Sequence, residues 1–305
     1  MQTALEACCD LKVVLAGRQL PSGGWPFKHC SAQAALEPTC LALLALRSDR
    51  SPARDRAIRF LLATQNPNGS WPAVVGDDPE GSGLSGLALF ALDRCGIKGE
   101  VADRGFGWLL NLRGWESHWL WRWKFKTSDR HVRFDPDKFG WPWMPETVSW
   151  VVPTACSILA LKARFGTSPP DLPHFRIRRG VEMLYDRICP QGGWNAGNGV
   201  VYEKPLAPHP DTTAVALLAL RNEPTDAIVT ASLDWLEQRA QCCVAPWSLA
   251  WAILALDAYG RPTYPLLARL AEASDPGETK DDATLALISL AFDCALGRNI
   301  FKGST

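Results

Sequence analysis

Charge of one sign is missing from this chain. Lys and Arg total 32, and so do Asp and Glu, which leaves a net charge of zero at neutral pH. A broad nucleic-acid footprint needs a basic excess, so no nucleic-acid partner is expected. Long apolar runs are missing too. No stretch reaches the roughly 18–20 apolar residues that span a bilayer, and the chain does not open with a basic-then-apolar leader. The ten Cys do not form a disulfide pattern. Cys8–Cys9 and Cys242–Cys243 are adjacent pairs, which suit disulfides poorly. Cys40, Cys156 and Cys294 sit inside apolar runs, as small hydrophobes do. The expectation is a reduced, cytoplasmic setting, with peripheral attachment to a membrane surface left open. Metal-ligand spacing is scarce as well. His29-Cys30 is an isolated pair without further ligands at suitable distance, and Asp77-Asp78 and Asp281-Asp282 read as turn and cap residues. No metal is expected.

Tryptophan, by contrast, is abundant, with fourteen residues. Trp wants a partner for its N–H and is favoured where flat ligands or cations bind. Much of it belongs to an internal repeat, the first thing to seek in a chain of this kind. A Gly-rich or Trp-Pro turn is followed by a loop and then by an all-apolar helix. The turns are Gly23-Gly24-Trp25-Pro26, Gly69-Ser70-Trp71-Pro72, Trp141-Pro142-Trp143 and Gly192-Gly193-Trp194. The matching helices begin near Thr39, Ser85, Thr154 and Thr212-Thr213, a shortened fifth copy follows at Ser248, and the sixth begins at Asp281-Asp282. Trp25 and Trp71 lie 46 residues apart, and Trp143 and Trp194 lie 51 apart, enough for two helices and two turns.

Helices that are apolar on every side must be buried all round. Between them lie amphipathic helices, near residues 3–16, 54–62, 177–188 and 226–241. In the last, Val229, Leu233, Leu236 and Ala240 fall at helical spacing. About twelve helices, alternately inner and outer, predict two concentric rings. An open solenoid would need polar capping repeats, and none is evident. The expected fold is therefore all-α, an (α/α)6 toroid of about six helical hairpins, with residues 1–305 as one domain. The hydroxyls and acids at the inner-helix starts read as N-caps. In such a ring the positive ends of the inner-helix dipoles gather at one rim, where acids and anions are favoured.

Gln65-Asn66-Pro67-Asn68-Gly69-Ser70-Trp71-Pro72 and Gln191-Gly192-Gly193-Trp194 resemble the QW-type repeats of squalene–hopene and oxidosqualene cyclases, which also occur in the β subunits of protein prenyltransferases. The resemblance covers nearly the whole chain as a fold signal. Class II cyclases carry an Asp-x-Asp-Asp-Thr-Ala motif, or Asp-Cys-Thr-Ala. Here the stretch is His209-Pro210-Asp211-Thr212-Thr213-Ala214. The resemblance implies that Asp211 donates a proton, with His209 as its partner. His209 and Thr212 stand where the bacterial motif has acids. Protonating an alkene needs an acid that is protonated at rest yet strong, and a helix N-terminus stabilises the carboxylate left behind. Asp211 is equally suited to be an ordinary helix cap. The cyclases pair this ring with a second barrel, so a partner domain or subunit is implied. The prenyltransferases' zinc route uses Asp-x-Cys at an inner-helix start. The only such triplet here, Asp93-Arg94-Cys95, falls at a helix end.

Residues 114–150 break the repeat between the second and third hairpins. Trp115, Trp119, Trp121, Trp123, Trp141, Trp143 and Trp150 crowd there, interleaved with Arg122, Lys124, Lys126, Arg130 and Arg133. Asp135, Asp137 and Glu146 add acids. A loop this long inside a compact domain is usually functional. These residues suit a prenyl diphosphate, with rings on the chain and cations on the phosphates. They also suit a membrane surface, stacked nucleic-acid bases, or a lid that only closes the ring. Asp135-Pro136-Asp137 is half of a magnesium–diphosphate site, so Mg²⁺ is expected only alongside a diphosphate and no other cofactor is expected. The leading expectation is a terpenoid-cyclase-like protein that holds or cyclises an isoprenoid in a central hydrophobic cavity, with the insertion Trp residues as its wall. A non-catalytic ring that binds lipid or protein is the second. A six-hairpin carbohydrate-active enzyme is the third, and it predicts two carboxyls at one groove, such as Asp211 with Glu146 or Asp135.

Overall fold

The computed structural model of the chain describes residues 2–128, 133–274, 279 and 281–302, the side chains of residues 2–9 excepted. The described helices in chain order are α1 (Gln2–Gly17), α2 (Leu36–Ala45), α3 (Pro52–Ala63), α4 (Ser85–Arg94), α5 (Glu100–Asn111), α6 (Trp119–Thr127), α7 (Val151–Phe165), α8 (Asp171–Asp186), α9 (Pro210–Leu220), α10 (Ala227–Ala240), α11 (Pro246–Ala258), α12 (Tyr264–Glu272) and α13 (Asp282–Ala295). A short hairpin of β1 (Val200–Val201) and β2 (Lys204–Pro205) precedes α9.

The all-apolar helices form the inner ring. α2 packs on α4, α4 on α7, α7 on α9, α9 on α11, α11 on α13, and α13 returns to α2. The circle is closed, so no capping repeat is required. In α9 every residue from Thr212 to Leu220 is buried. Each fully buried Leu or Ile contributes on the order of 2 kcal/mol. The outer helices turn one stripe inward. In α5 that stripe is Ala102, Gly105, Phe106 and Leu109, and in α12 it is Leu266, Leu267 and Leu270. α1, α3, α5, α8, α10 and α12 each lie against the inner ring. Counted from their inner helices, the second hairpin is α4–α5 and the third α7–α8, and the Trp-rich insertion lies between them.

The repeated Trp residues lock each outer helix to the next inner one. Trp25, Trp71, Trp141 and Trp194 are fully buried. Their indole N–H groups donate to the Leu15, Leu61, Leu109 and Leu184 carbonyls at 2.8, 2.7, 2.7 and 2.6 Å. Their backbone N–H groups donate at 2.9 Å to the hydroxyls of Thr39, Ser85, Thr154 and Thr213. Those hydroxyls read from sequence as N-caps, but the N-cap residues are Ala35, Leu84, Trp150 and His209, none with a side-chain cap bond. A bond to the incoming Trp strand satisfies a buried donor, so the hydroxyl serves the repeat instead of its own helix. At α13 the cap is Asp281, not Asp282. Its carboxylate accepts from Ala283 N and Thr284 N.

Glutamine completes two copies. Gln19 donates to the Gly23 and Ala53 carbonyls, and Gln65 to those of Gly69 and Val101. Gly23 and Gly69 have φ of +97° and +95°, and a Cβ there would stand 2.6 and 2.5 Å from the Arg56 and Arg104 carbonyl oxygens. Only glycine fits such a position. Gln191, which helps carry the repeat resemblance in sequence, is exposed and out of this register.

Backbone bonds tie the segments entering neighbouring inner helices into one rim: Leu36 N to Ala73 O, Gly83 N to Trp143 O, and Val151 N to Ala196 O. The N-termini of α2, α4, α7 and α9 therefore share that rim. At the opposite rim cations meet the carbonyl ends of helices, as their dipoles favour. Lys162 donates to Ala219 O, and Arg221 to Ala258 O.

Candidate active site

The ring axis is filled from the C-terminal rim. Phe301 stacks on Phe90 of α4 with centroids 5.4 Å apart, and meets Trp251 of α11 at 5.9 Å. α4 and α11 stand opposite each other in the six-helix circle, so a side chain touching both lies on the axis. Asn299 holds this plug by donating to Leu254 O and to the Asp257 carboxylate. Arg221 donates to the Phe301 carbonyl. Trp247, one turn before Trp251 on α11, packs edge-on against it and is half-buried. Aromatic rings thus occupy the axis from its C-terminal end as far as Trp251, in the N-terminal half of α11.

Toward the N-terminal rim the interior turns acidic. Glu37, in the first turn of α2, acts electrostatically on Cys156 of α7, two places round the ring, and on Cys40. Burial, with the nearby Asp281 carboxylate second, pushes Glu37 up to about 7. A carboxyl there keeps much of its proton at neutral pH. Burial likewise pushes the Cys156 thiol up to about 12 and raises Cys40, so both act as hydrophobes. Asp282 is buried and its carboxyl is also raised by burial, partly offset by Arg18 at 3.2 Å.

Asp211 is in the first turn of α9 and half-buried. It holds the position that Glu37 holds in α2, two residues before the hydroxyl that clamps a Trp. His209 is exposed, and no hydrogen bond links its side chain to Asp211 among the described residues. Its ring lines a cleft of about 420 Å³ with Trp150, Asn195, Gly197, Val201 and Leu206.

The insertion residues divide into three sets. Trp141 is a buried repeat plug, not a ligand-facing wall: its N–H is committed to Leu109 O, and the Arg176 guanidinium covers its ring at 4.1 Å. Trp143 and Trp150 are half-buried at the N-terminal rim, while Trp119 and Trp123 point outward. Trp121 stacks on Trp115 at 4.7 Å, with Lys124 over it at 4.5 Å. Asp135 and Asp137 do not form an open cation site. Asp137 is bound by Arg122 at 3.1 Å and by Lys126, which holds its carboxyl below the usual range. Asp135 accepts from the Asp137 backbone at 3.0 Å. Glu146 and Arg133 are exposed, and Arg130 lies outside the described residues. Among the described residues no group of three or more His, Cys, Asp or Glu is placed to hold a metal ion.

No protein-family model matches the chain. Human lanosterol synthase is 40% identical over 80 residues, 22% of this chain and 10% of that protein. Lanosterol synthase erg7A of Aspergillus fumigatus is 26% identical over 188 residues, 56% of this chain and 21% of that protein. The chain therefore aligns with 10% and 21% of these relatives' length. A type II terpene cyclase from Scytonema, solved with geranylgeranyl dihydroxybenzoate, superposes with a TM-score of 0.61 at 12% identity, covering 98% of this chain and 100% of that one. The chain is an α/α toroid with the fold of that cyclase. The same fold is shared by a family 8 glycosyl hydrolase, an endoglucanase from Klebsiella pneumoniae, with a TM-score of 0.59 at 15% identity over 94% of the toroid and 98% of that chain.

Sequence reasoning missed three parts of the toroid's interior. Glu37 looked like an ordinary residue before Pro38, although its offset from Thr39 matches that of Asp211 from Thr213. Trp247 and Trp251 lay in the shortest repeat. Glu116, fully buried, staples the insertion to the ring by accepting from Ser149 N at 3.1 Å.

Proposed function

We propose that the toroid takes an isoprenoid into its axial chamber and that the rim carboxyls begin its cyclisation. The reading rests on Glu37, whose carboxyl burial pushes up to about 7, in the first turn of an inner helix of an apolar ring that carries Phe301 and Trp251 on its axis. Asp211 shares its register and carries the motif. In the step, the carboxyl O–H bond breaks and its proton forms a C–H bond with an alkene carbon. The alkene's electron pair is consumed, and a tertiary cation is left on the other carbon. Aromatic faces such as Trp251 stabilise that cation, and loss of a proton from the cyclised cation restores the balance. This chemistry needs no cofactor. Mg²⁺ would enter only with a diphosphate-bearing ligand. Trp143 and Trp150 are the insertion residues placed for contact. His209 is not required, because it does not meet Asp211.

Asp211→Asn and Glu37→Gln, assayed separately with squalene, oxidosqualene and prenyl diphosphates, test the assignment. Removing the proton source should lower product formation by roughly 10²-fold or more, whereas His209→Ala should keep it. Wild-type turnover in both carboxyl variants would remove them from the mechanism. Bound lipid without product would leave a carrier. The fold shared with a family 8 glycosyl hydrolase and the half-buried Trp247 also support a second reading, a carbohydrate-active enzyme. Release of reducing sugar from a β-1,4-glucan, abolished by the same two substitutions, would favour it.

A further inference from the structure

A second cleft, of about 500 Å³, opens at the C-terminal rim, away from the first-turn acids. The ends of α4, α7 and α9 wall it on the inner side, and α8 with the loop before it on the outer side. Leu159, Ala163, Ile177 and Phe301 give it apolar surface. Arg94, Lys162 and Arg221 also line it, against a single carboxylate, Glu223. Two of these cations are engaged by the chain. Lys162 pairs with Glu223 at 2.7 Å and donates to Ala219 O and Arg221 O. Arg221 donates to Ala258 O and Phe301 O. Arg94 differs. Its guanidinium lies over the Phe90 ring at 5.1 Å, yet it has neither a hydrogen bond nor an ion pair among the described residues, and its Nε is buried without an acceptor. Burial is the main influence on its charge and works against it, partly offset by Asp93.

We propose that this cleft binds a small amphiphilic anion, its carboxylate or phosphate held by Arg94 and its apolar body laid against Leu159, Ala163, Ile177 and Phe301. A guanidinium presents N–H groups in a planar fork that matches the oxygens of either head group. A partly desolvated cation without a partner is destabilising, and an oxyanion beside it offsets that deficit. The dipole of α4 favours a cation at the helix end, but it explains neither the missing acceptor nor the cleft alongside. Charge agrees with the choice of ligand. Lys162 and Glu223 cancel, which leaves the lining with the positive charges of Arg94 and Arg221. The volume falls within the roughly 300–1,000 Å³ of small-molecule pockets. Phe301 borders both this cleft and the axis, but the claim stands whatever the axis binds.

Isothermal titration of the full chain with 1-naphthyl phosphate, 1-naphthoate, 1-naphthol and inorganic phosphate tests it. At least one of the two naphthyl anions should bind at a single site, and the tighter of them identifies the head group. Naphthol lacks the charge and inorganic phosphate lacks the apolar body, so each should bind roughly tenfold more weakly or worse. Arg94→Gln should weaken the naphthyl anion roughly tenfold or more, and Arg94→Lys, which keeps the charge but loses the fork, should fall between. Ala163→Leu narrows the cleft without touching a charge and should also weaken binding. Melting curves establish that each variant is folded. Absence of saturable binding of either naphthyl anion to the wild type would overturn the proposal. So would naphthol binding as tightly as the anions, which would mark a merely apolar cleft. Unchanged affinity in folded Arg94→Gln would place the ligand elsewhere and overturn it too. If Arg94→Gln does not fold, unchanged affinity in Ala163→Leu has the same force.

Discussion

The raised Glu37 carboxyl makes the stability of the fold depend on pH. Its folded-state value, about 7, lies above the ordinary carboxylate range. The native state therefore binds the proton more tightly than the unfolded chain does. The resulting stability is fully present below about pH 4.5 and is lost as pH rises through 7. The difference is on the order of 3 kcal/mol. Urea unfolding at pH 5 and at pH 8.5 should show a loss of this size in the wild type and a much smaller one in Glu37→Gln; an equal loss in both would deny the raised carboxyl. The repeat tryptophans make a second residue-scale prediction. Trp71→Phe keeps most of the packed ring but leaves the Leu61 carbonyl without its donor. A buried acceptor left unpaired costs about 1–3 kcal/mol, which denaturant melts can read. Trp71 was legible in the sequence because its turn recurs. Glu37 was not, because nothing local separates a half-buried first-turn Glu with a raised carboxyl from an exposed one.

At the scale of elements, the inner helices were readable from composition alone, since a helix without a polar side must be covered all round. Their starts were misread. Thr39, Ser85 and Thr154 look like caps because caps and clamps use the same hydroxyls, and only the fold brings the Trp strand into reach. Asp281 is a true cap, with bonds to two backbone N–H groups of α13. Asp281→Ala should therefore cost roughly 0.5–2 kcal/mol, while Thr284→Val should cost less. Hydrogen exchange of the α13 first-turn amides gives a direct readout, and unchanged protection in the Asp281 variant would contradict the cap. α6 was visible as a cluster of Trp and basic residues, but which rings turn inward depends on Trp115 and Phe134, which the helical period alone cannot specify.

The whole molecule is a closed ring with acids in the first turns of inner helices and an aromatic floor on its axis. Closure followed from the alternation of buried and half-buried helices. The floor did not, because Phe301 reaches the axis only after α13 ends, beyond the repeat pattern. Phe301→Ala should deepen the chamber and cost about 3–5 kcal/mol of stability, and Phe301→Leu should cost less. The central claim, that the axis is a ligand chamber between Glu37 and Phe301, is tested most directly by photolabelling the protein with a benzophenone-bearing isoprenoid and mapping the adducts by mass spectrometry. Labels on the peptides carrying Cys40, Cys156 and Trp251, competed away by unlabelled isoprenoid, are the result expected. Labels confined to α6 and the outer helices, with the axial peptides untouched, would contradict it.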